Sequence, residues 1–234
     1  MKYKDSSTGF EIIQNVKDGG VYSDTGFITD DAQVIGSAAS TSIDIYENNG
    51  ANNFAVSYSL DHAFSNKTRH LRVTSDYTFM IASFQAKNEI RVYTRGSGTI
   101  TFSHNQTITL QTSESWRPSI TNDHLQIVVG DKISSIYYVQ IYTYNPISEQ
   151  FDAPTDPTLI QMPASIRLAS LSEDKKYLAV STSSGIFLYT SPLSSSPVLE
   201  QTLSSSQSKY HRFSKDGKYL IHSANDKIEI TINC

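Results

Sequence analysis

Short apolar runs alternate with polar residues along most of this chain, and one arrangement of them occurs five times. Each copy is an eleven-residue window with an apolar first residue, Asp at the fourth position, an apolar eighth residue and a final Ser or Gly. Two apolar runs around a polar turn predict two antiparallel strands joined tightly. The windows are FITDDAQVIGS (27–37), VTSDYTFMIAS (73–83), ITNDHLQIVVG (120–130), LSEDKKYLAVS (171–181) and FSKDGKYLIHS (213–223).

The shared aspartate is predicted to be a structural turn residue, because its carboxylate can accept a hydrogen bond from the backbone two residues later. The strongest case is Asp216, since the Asp-Gly pair that it begins is favoured in hairpins. The five predicted turn residues are Asp30, Asp76, Asp123, Asp174 and Asp216.

A second marker, a short stretch with β-branched residues or Leu at its second and fourth positions, follows every window and predicts a third strand. The five aspartates are separated by 46, 47, 51 and 42 residues, which is close to the period of about 40 to 45 residues of a four-stranded propeller blade. The markers are SIDIY (42–46), EIRVY (89–93), YVQIY (138–142), GIFLY (185–189) and KIEIT (227–231).

Polar segments between a marker and the next window predict a fourth, outer strand, as at 53–60, 99–110 and 196–203. The connector 145–163 holds four of the seven prolines and is predicted to be an irregular insertion on the rim. Residues 9–16 (GFEIIQNV) are typical of a fourth strand without its preceding three. We therefore expect this N-terminal strand to complete the last blade and close the ring.

The strings FSKDGKYLIHSANDKIEI (213–230) and LSEDKKYLAVSTSSGIFLY (171–189) resemble WD40 repeats and the looser YVTN-type propeller repeats. The resemblance extends over about residues 9–233 and implies an all-β β-propeller with five visible four-stranded blades. It also implies a platform for protein assemblies. The Gly-His and Trp-Asp dipeptides of WD40 repeats are missing, and Tyr stands at the Trp position in four copies.

The fold prediction is thus a single β-propeller domain over residues 1–234. Its blade cores lie at about 27–46, 73–93, 120–142, 171–189 and 213–231. WD40 rings usually have seven blades, so the chain forms either a complete five-bladed ring or part of a larger ring.

Charge and cysteine content limit the partners and the cellular compartment that the sequence predicts. The chain has 19 basic and 23 acidic residues, and no run of Lys and Arg exceeds two, so no nucleic-acid partner is predicted. Cys234 is the only cysteine, which fits a reducing compartment. No apolar run approaches the ~18 residues of a membrane span, and the first residues lack a signal-peptide core. We expect a cytoplasmic protein without a membrane span.

No motif for phosphate binding, metalloprotease chemistry or an esterase serine occurs. The sequence therefore predicts no catalytic residue, no cofactor and no metal site. Among the histidines, His222 is the candidate site residue, because the other repeats have Gly36, Ala82, Val129 and Val180 at its position. We expect it to be a core or channel residue whose nitrogens are satisfied by hydrogen bonds.

Three functions stay open. The favoured one is a non-enzymatic scaffold for protein–protein interaction, as a subunit of a larger complex. The second is a five-bladed propeller that binds carbohydrate or another small ligand, or hydrolyses glycosides. The third is a subunit whose repeats complete a ring with another chain. For the second, the predicted exposed aromatics are Tyr58, Tyr77, Tyr137, Tyr138 and Tyr144, and two glycosylation sequons, at Asn66 and Asn105, apply if the protein is secreted.

Overall fold

The computed structural model describes residues 26–28, 33–38, 42–50, 54–61, 68–84, 87–97, 99, 101–111, 117–156, 159–204, 210–214, 216–224 and 227–232. Within these ranges every regular element is a β-strand, and the strands form five antiparallel sheets that follow one another along the chain.

The first two sheets have four strands each, in sequential order. The first contains β1 (Gly26–Ile28), β2 (Val34–Ala38), β3 (Ser42–Asn48) and β4 (Phe54–Asp61). The second contains β5 (Thr68–Val73), β6 (Phe79–Phe84), β7 (Glu89–Arg95) and β8 (Phe102–Thr109).

The third sheet corrects the prediction for the connector 145–163. It contains β9 (Ser119–Ile120), β10 (Gln126–Ile133), β11 (Ile136–Asn145), β12 (Gln150–Asp152) and β13 (Ile160–Met162). Both β12 and β13 pair with β11, at opposite ends of it. The connector is therefore not simply irregular, because it holds an outer strand that is divided into two short pieces.

The last two sheets continue the pattern. The fourth contains β14 (Ile166–Leu171), β15 (Tyr177–Thr182), β16 (Ile186–Thr190) and β17 (Val198–Ser204). The fifth contains β18 (His211–Phe213), β19 (Tyr219–Ala224) and β20 (Lys227–Ile232). The strand expected at residues 9–16 lies outside the described residues.

The core lies between consecutive sheets. Ile43 and Ile45 of the first sheet pack against Leu71 and Met80 of the second, and equivalent clusters join the second sheet to the third and the third to the fourth. All six residues of β6 are buried, because a strand covered on both faces must be apolar on both. The first strands, β1, β5, β9, β14 and β18, adjoin in that order, and we call them the inner strands.

The turn between the first two strands has the same hydrogen bonds in four sheets. In the second sheet the Thr74 hydroxyl donates to Asp76 Oδ1 over 2.6 Å and accepts from the Phe79 backbone over 3.0 Å. The Thr78 backbone donates to Asp76 Oδ1 over 3.0 Å. The same bonds form around Asp123, Asp174 and Asp216. The sequence analysis missed the Ser or Thr two residues before each of these aspartates.

The residue after each of these aspartates has a left-handed backbone, and in the last three sheets it meets the turn of the preceding sheet. Lys175 forms an ion pair with Asp123, and His124 Nδ1 lies 3.5 Å from Asp76 Oδ2. Gly217, with a φ of 71°, lies against the Asp174 carboxylate. The turns therefore connect consecutive sheets as well as consecutive strands.

The first window needs a correction of one residue. Tyr93 pairs with Met80 in the second sheet, whereas the equivalent Tyr46 pairs with Ile35 in the first. The ungapped alignment had equated Val34 with Met80, so it is displaced by one position in this copy. Asp30 itself lies outside the described residues.

Replacing Thr74 by Val should lower the free energy of unfolding by about 2 kcal/mol, because the buried Phe79 N–H loses its acceptor. Urea unfolding measures the change. Thr94→Val is the matched control, since the Thr94 hydroxyl makes none of these turn bonds. An equal loss in both variants would show that the turn network contributes nothing specific.

Candidate functional site

Five of the seven arginines lie on or next to the inner strands. They come from four sheets, although they are widely spaced in the sequence. The five are Arg69, Arg72, Arg117, Arg167 and Arg212. These arginines are far apart in the sequence, but the fold places them on or next to one set of neighbouring strands.

Three of these side chains, Arg72, Arg117 and Arg212, form what we call the arginine cluster. Burial among the surrounding protein is the main cause that lowers the pKa of Arg72, and the charges of Arg212 and Arg117 lower it further. By its accessible surface Arg72 is nevertheless an exposed residue, as is Arg212. Both side chains are therefore accessible to a ligand.

Tyr210 holds one member of the cluster. Arg117 Nη2 donates a hydrogen bond of 3.0 Å to Tyr210 Oη, and the Arg117 Cζ atom lies 4.2 Å from the Tyr210 ring centroid. Within the described residues, no hydrogen bond or ion pair engages the guanidinium groups of Arg72 and Arg212. Two guanidinium groups are therefore available to a ligand beside a third that is fixed.

His70 lies two residues before Arg72 on β5 and is only 6% exposed. Burial, with smaller contributions from Arg72 and Arg117, lowers its pKa from 6.5 to about 3. Its buried Nε2 atom has no hydrogen-bond partner in the described part of the chain. A neutral imidazole thus lies next to the cluster with one nitrogen unsatisfied.

A second buried histidine, His211, has hydrogen-bond partners for both ring nitrogens. His211 Nδ1 lies 2.6 Å from Ser181 Oγ, and its Nε2 lies 2.9 Å from Ser170 Oγ. Burial is the main cause that lowers its pKa to about 3. These contacts join the fourth and fifth sheets and give His211 a structural role.

His222, the candidate from the sequence, is 2% exposed on β19, so its predicted burial agrees with the structure. Its Nε2 lies 3.5 Å from Thr231 Oγ1 and 3.7 Å from Glu229 Oε2. Its Nδ1 has no partner among the described residues, so the expectation that hydrogen bonds satisfy both nitrogens is wrong there. Burial lowers its pKa, and Glu229 opposes that effect.

The other sequence candidates do not converge on one site. The aspartates Asp76, Asp123, Asp174 and Asp216 each accept hydrogen bonds within their own turns. The predicted exposure of Tyr77 and Tyr138 is wrong, because they are 6% and 8% exposed and pack in the sheets.

At the described sequon, the Asn105 amide donates to the Glu149 carbonyl over 2.8 Å, whereas Asn66 lies outside the described residues. Across the described ranges, no His, Cys, Asp or Glu residues group as a metal site would require. The same ranges hold no helix of the length and apolarity that a membrane crossing needs.

No family model and no curated protein matches this sequence. Solved structures do match it. Two proteins provisionally assigned as 6-phosphogluconolactonases, from Bacteroides uniformis and Bacteroides fragilis, align over 100% of this chain and 73% and 72% of their own. Their sequence identities are 13% and 14%, with TM-scores of 0.69 and 0.73. The Cps50 (Swd1) β-propeller domain of Myceliophteria thermophila aligns over 94% of this chain and 67% of its own, at 11% identity and a TM-score of 0.71.

The fold is a β-propeller. The five sheets are its blades, and the inner strands lie nearest its centre. The members of the arginine cluster therefore lie on or next to the inner strands of the second, third and fifth blades. At these identities the likeness concerns the fold alone, and function must be argued from the site.

Proposed function

We propose that this β-propeller is a non-enzymatic binding scaffold that recognises a negatively charged group of its partner at the arginine cluster. Two observations support the proposal: burial, and then the charges of Arg212 and Arg117 from two other blades, lower the pKa of Arg72, and Arg72 and Arg212 have no hydrogen-bond partner in the described residues. Unpaired guanidinium groups on the inner strands of a propeller are suited to binding a charged end of a partner.

Electrostatics supports an anionic partner. Burial is the main cause of the lowered pKa of Arg72, and repulsion by the like charges of Arg212 and Arg117 adds to it. An anion between the guanidinium groups would replace repulsion by attraction. Guanidinium groups also bind carboxylate and phosphate through paired, charge-assisted hydrogen bonds, which add geometric specificity.

The pKa of His70, the titratable group next to the cluster, favours binding over catalysis. A general base works best when its pKa lies near the working pH. His70, with a pKa of about 3, would accept a proton poorly at neutral pH.

A second candidate is hydrolysis of a phosphorylated sugar lactone. It is favoured by the fold similarity to two proteins with that provisional assignment and by the suitability of the cluster for a phosphate group. Lactone consumption measured against the spontaneous rate separates the two functions. A rate above background that Arg72→Gln abolishes would support the enzyme and contradict the scaffold.

The scaffold is tested by comparing native complexes of tagged wild-type chain with those of the double variant Arg72→Gln/Arg212→Gln. We expect quantitative mass spectrometry to show at least a tenfold loss of the stoichiometric partner from the double variant. Arg91→Gln is the control, because Arg91 pairs with Glu89 on the third strand of its blade. A wild-type chain that migrates alone at 26.0 kDa, or one whose partners are unchanged in the double variant, would contradict the proposal.

A further inference from the structure

We infer that one face of the fifth blade is an interface for a further propeller blade, which a partner chain supplies. We call it the terminal face, and it is the side of β19 and β20 that carries Tyr219, Ile221, Ile228 and Ile230. Strand pairing places these residues on one side of the sheet, because Ile221 lies opposite Ile230 and Ser223 lies opposite Ile228. The terminal face is a second surface of the scaffold, beyond the arginine cluster.

The terminal face is apolar and exposed. Ile228 and Ile230 are 78% and 62% exposed, and Tyr219 and Ile221 are 43% and 44% exposed. Single exposed apolar residues are ordinary on a protein surface, whereas a contiguous set of them marks an interaction site. The opposite side of β19 is already covered, because Leu220 packs against the fourth blade. Within the described part of the chain, the fifth blade is therefore packed on one side and uncovered on the other.

The second blade shows how such a face is covered. Strand pairing equates four of its residues with the terminal face, and all four are buried against the third blade. These four residues are Phe79, Ile81, Ile90 and Val92. A face of this composition is thus the surface on which the next blade packs.

The remaining blades follow the same rule. In the first, third and fourth blades, the residues at the positions of Ile228 and Ile230 are buried or half-buried. They are Ile43 and Ile45, Val139 and Ile141, and Ile186 and Leu188. Exposure of these positions is therefore a property of the fifth blade and not of the repeat.

The covering blade contributes a recurrent pair of side chains. In the second, third and fourth blades, a large apolar residue of the second strand lies opposite a tyrosine of the third strand. Both residues pack on the preceding blade. The pairs are Met80 with Tyr93, Ile127 with Tyr142, and Leu178 with Tyr189. We therefore expect the partner to present two antiparallel strands with an aliphatic residue opposite a tyrosine.

The arc of five blades leaves room for this partner. The Cps50 β-propeller domain aligns with 94% of this chain, yet the alignment covers 67% of that domain. The inner strands adjoin in order from β1 to β18, and among the described residues no contact of that extent joins β18 back to β1. A ring of the same curvature would hold about two more blades, and the terminal face borders that space.

Arg212 can stay accessible when the terminal face is covered. It lies opposite Ile221 on the inner strand of the fifth blade, as Arg72 lies opposite Ile81 in the second blade. Arg72 is an exposed residue although the third blade covers its sheet. Docking of a further blade is thus compatible with ligand binding at the arginine cluster.

Two other sources of a cover fit less well. A second copy would continue the arc with its first blade, but Tyr46, the covering tyrosine of that blade, is already buried within its own chain. Residues 1–25 are fewer than the about 40 residues of one blade. A separate chain with blades of its own meets both requirements.

Site-specific photo-crosslinking tests both the position and the source of the cover. Ile230 is replaced by a photo-activatable amino acid in the tagged chain, which is expressed in cells of its source organism, and mass spectrometry identifies the cross-linked peptides. We expect position 230 to cross-link to one partner chain, within a β-strand next to an aliphatic–tyrosine pair. Position 56 is the matched control, because Val56 is 57% exposed on β4 of the first blade, and it should not cross-link to that partner.

The cross-linked partner is then purified and titrated with the chain. Ile228→Glu and Ile230→Glu should each weaken its binding at least tenfold, because a carboxylate would lose water in an apolar contact without gaining a hydrogen bond. Val56→Glu should leave binding unchanged. Both isoleucines are exposed in the isolated chain, so we expect these variants to fold, and circular dichroism and thermal unfolding check that they do.

Cross-links from position 230 to a second copy of the chain, or to residues 1–25 of the same chain, would overturn the inference by identifying a different cover. A cross-linked partner segment outside a β-sheet would also overturn it. So would a partner whose binding is indifferent to both glutamate substitutions, or the absence of any cross-linked protein.

Discussion

Acidification from pH 7.5 to pH 5 should lower the free energy of unfolding by about 4 kcal/mol. The main cause is the pair of buried histidines His70 and His211, whose pKa values fall from 6.5 to about 3 in the folded chain. His222, whose pKa burial also lowers, acts in the same direction. Between these values the unfolded chain binds more protons than the folded chain, so falling pH favours unfolding. The stabilisation is complete above pH 6.5 and is lost progressively towards pH 3.

Urea unfolding at pH 7.5, 6.5, 5.5 and 5.0 measures this loss. His211→Gln should roughly halve the dependence on pH, because the amide can bond to Ser170 and Ser181 without titrating. Lowered pKa values of the turn carboxylates, such as Asp174 with its hydrogen bond from Ser172, add a further loss only near pH 4 and below. Equal unfolding free energies at pH 7.5 and 5.0 would contradict neutral burial of the two histidines.

Replacing Gly130 by Ala should destabilise the protein by about 3 kcal/mol, near the upper end of overpacking costs. A Cβ atom on Gly130 would lie 2.6 Å from both Cβ and Cγ2 of Ile166 on the neighbouring blade. Ile166 is branched at Cβ and buried, so its side chain cannot move away from the added methyl group. The third and fourth blades would have to separate to admit one methyl group.

Thermal and urea unfolding of Gly130→Ala measure the cost. Gly96→Ala is the matched control, because among the described residues the close neighbour of its added Cβ is the exposed side chain of Thr99, at 3.3 Å from Oγ1. It should change stability by less than about 0.5 kcal/mol. A Gly130→Ala variant as stable as the control would show that the blades do not approach this closely.

The repeat made the fold predictable, because each blade has to bury the same face against its neighbour. The aspartates and the alternating third strands therefore recur at blade spacing. What the repeat could not supply was the exact register of the degenerate first copy, where Ile35 and not Val34 is the equivalent of Met80. The sequence did not predict the divided outer strand of the third blade. Its prolines indicate an edge position, but they do not show which strand the segment pairs with.

The arginine cluster was missed because residues about 45 positions apart carry no local signal. The signal lay in the repeat itself. Arg72, Arg117, Arg167 and Arg212 each stand four to seven residues ahead of a turn aspartate, and aligned repeats would have placed them on the inner strands. The exposure of individual tyrosines could not be predicted from the sequence either, because the burial of Tyr77 depends on neighbours such as Phe27 and Phe102.

The most direct test of the central claim is a crystal structure of the chain grown in phosphate. The account predicts a tetrahedral anion at the centre of the propeller, in contact with the guanidinium groups of Arg72 and Arg212 and within reach of Arg117. Arginines paired with carboxylates of the protein, with no anion between them, would contradict it.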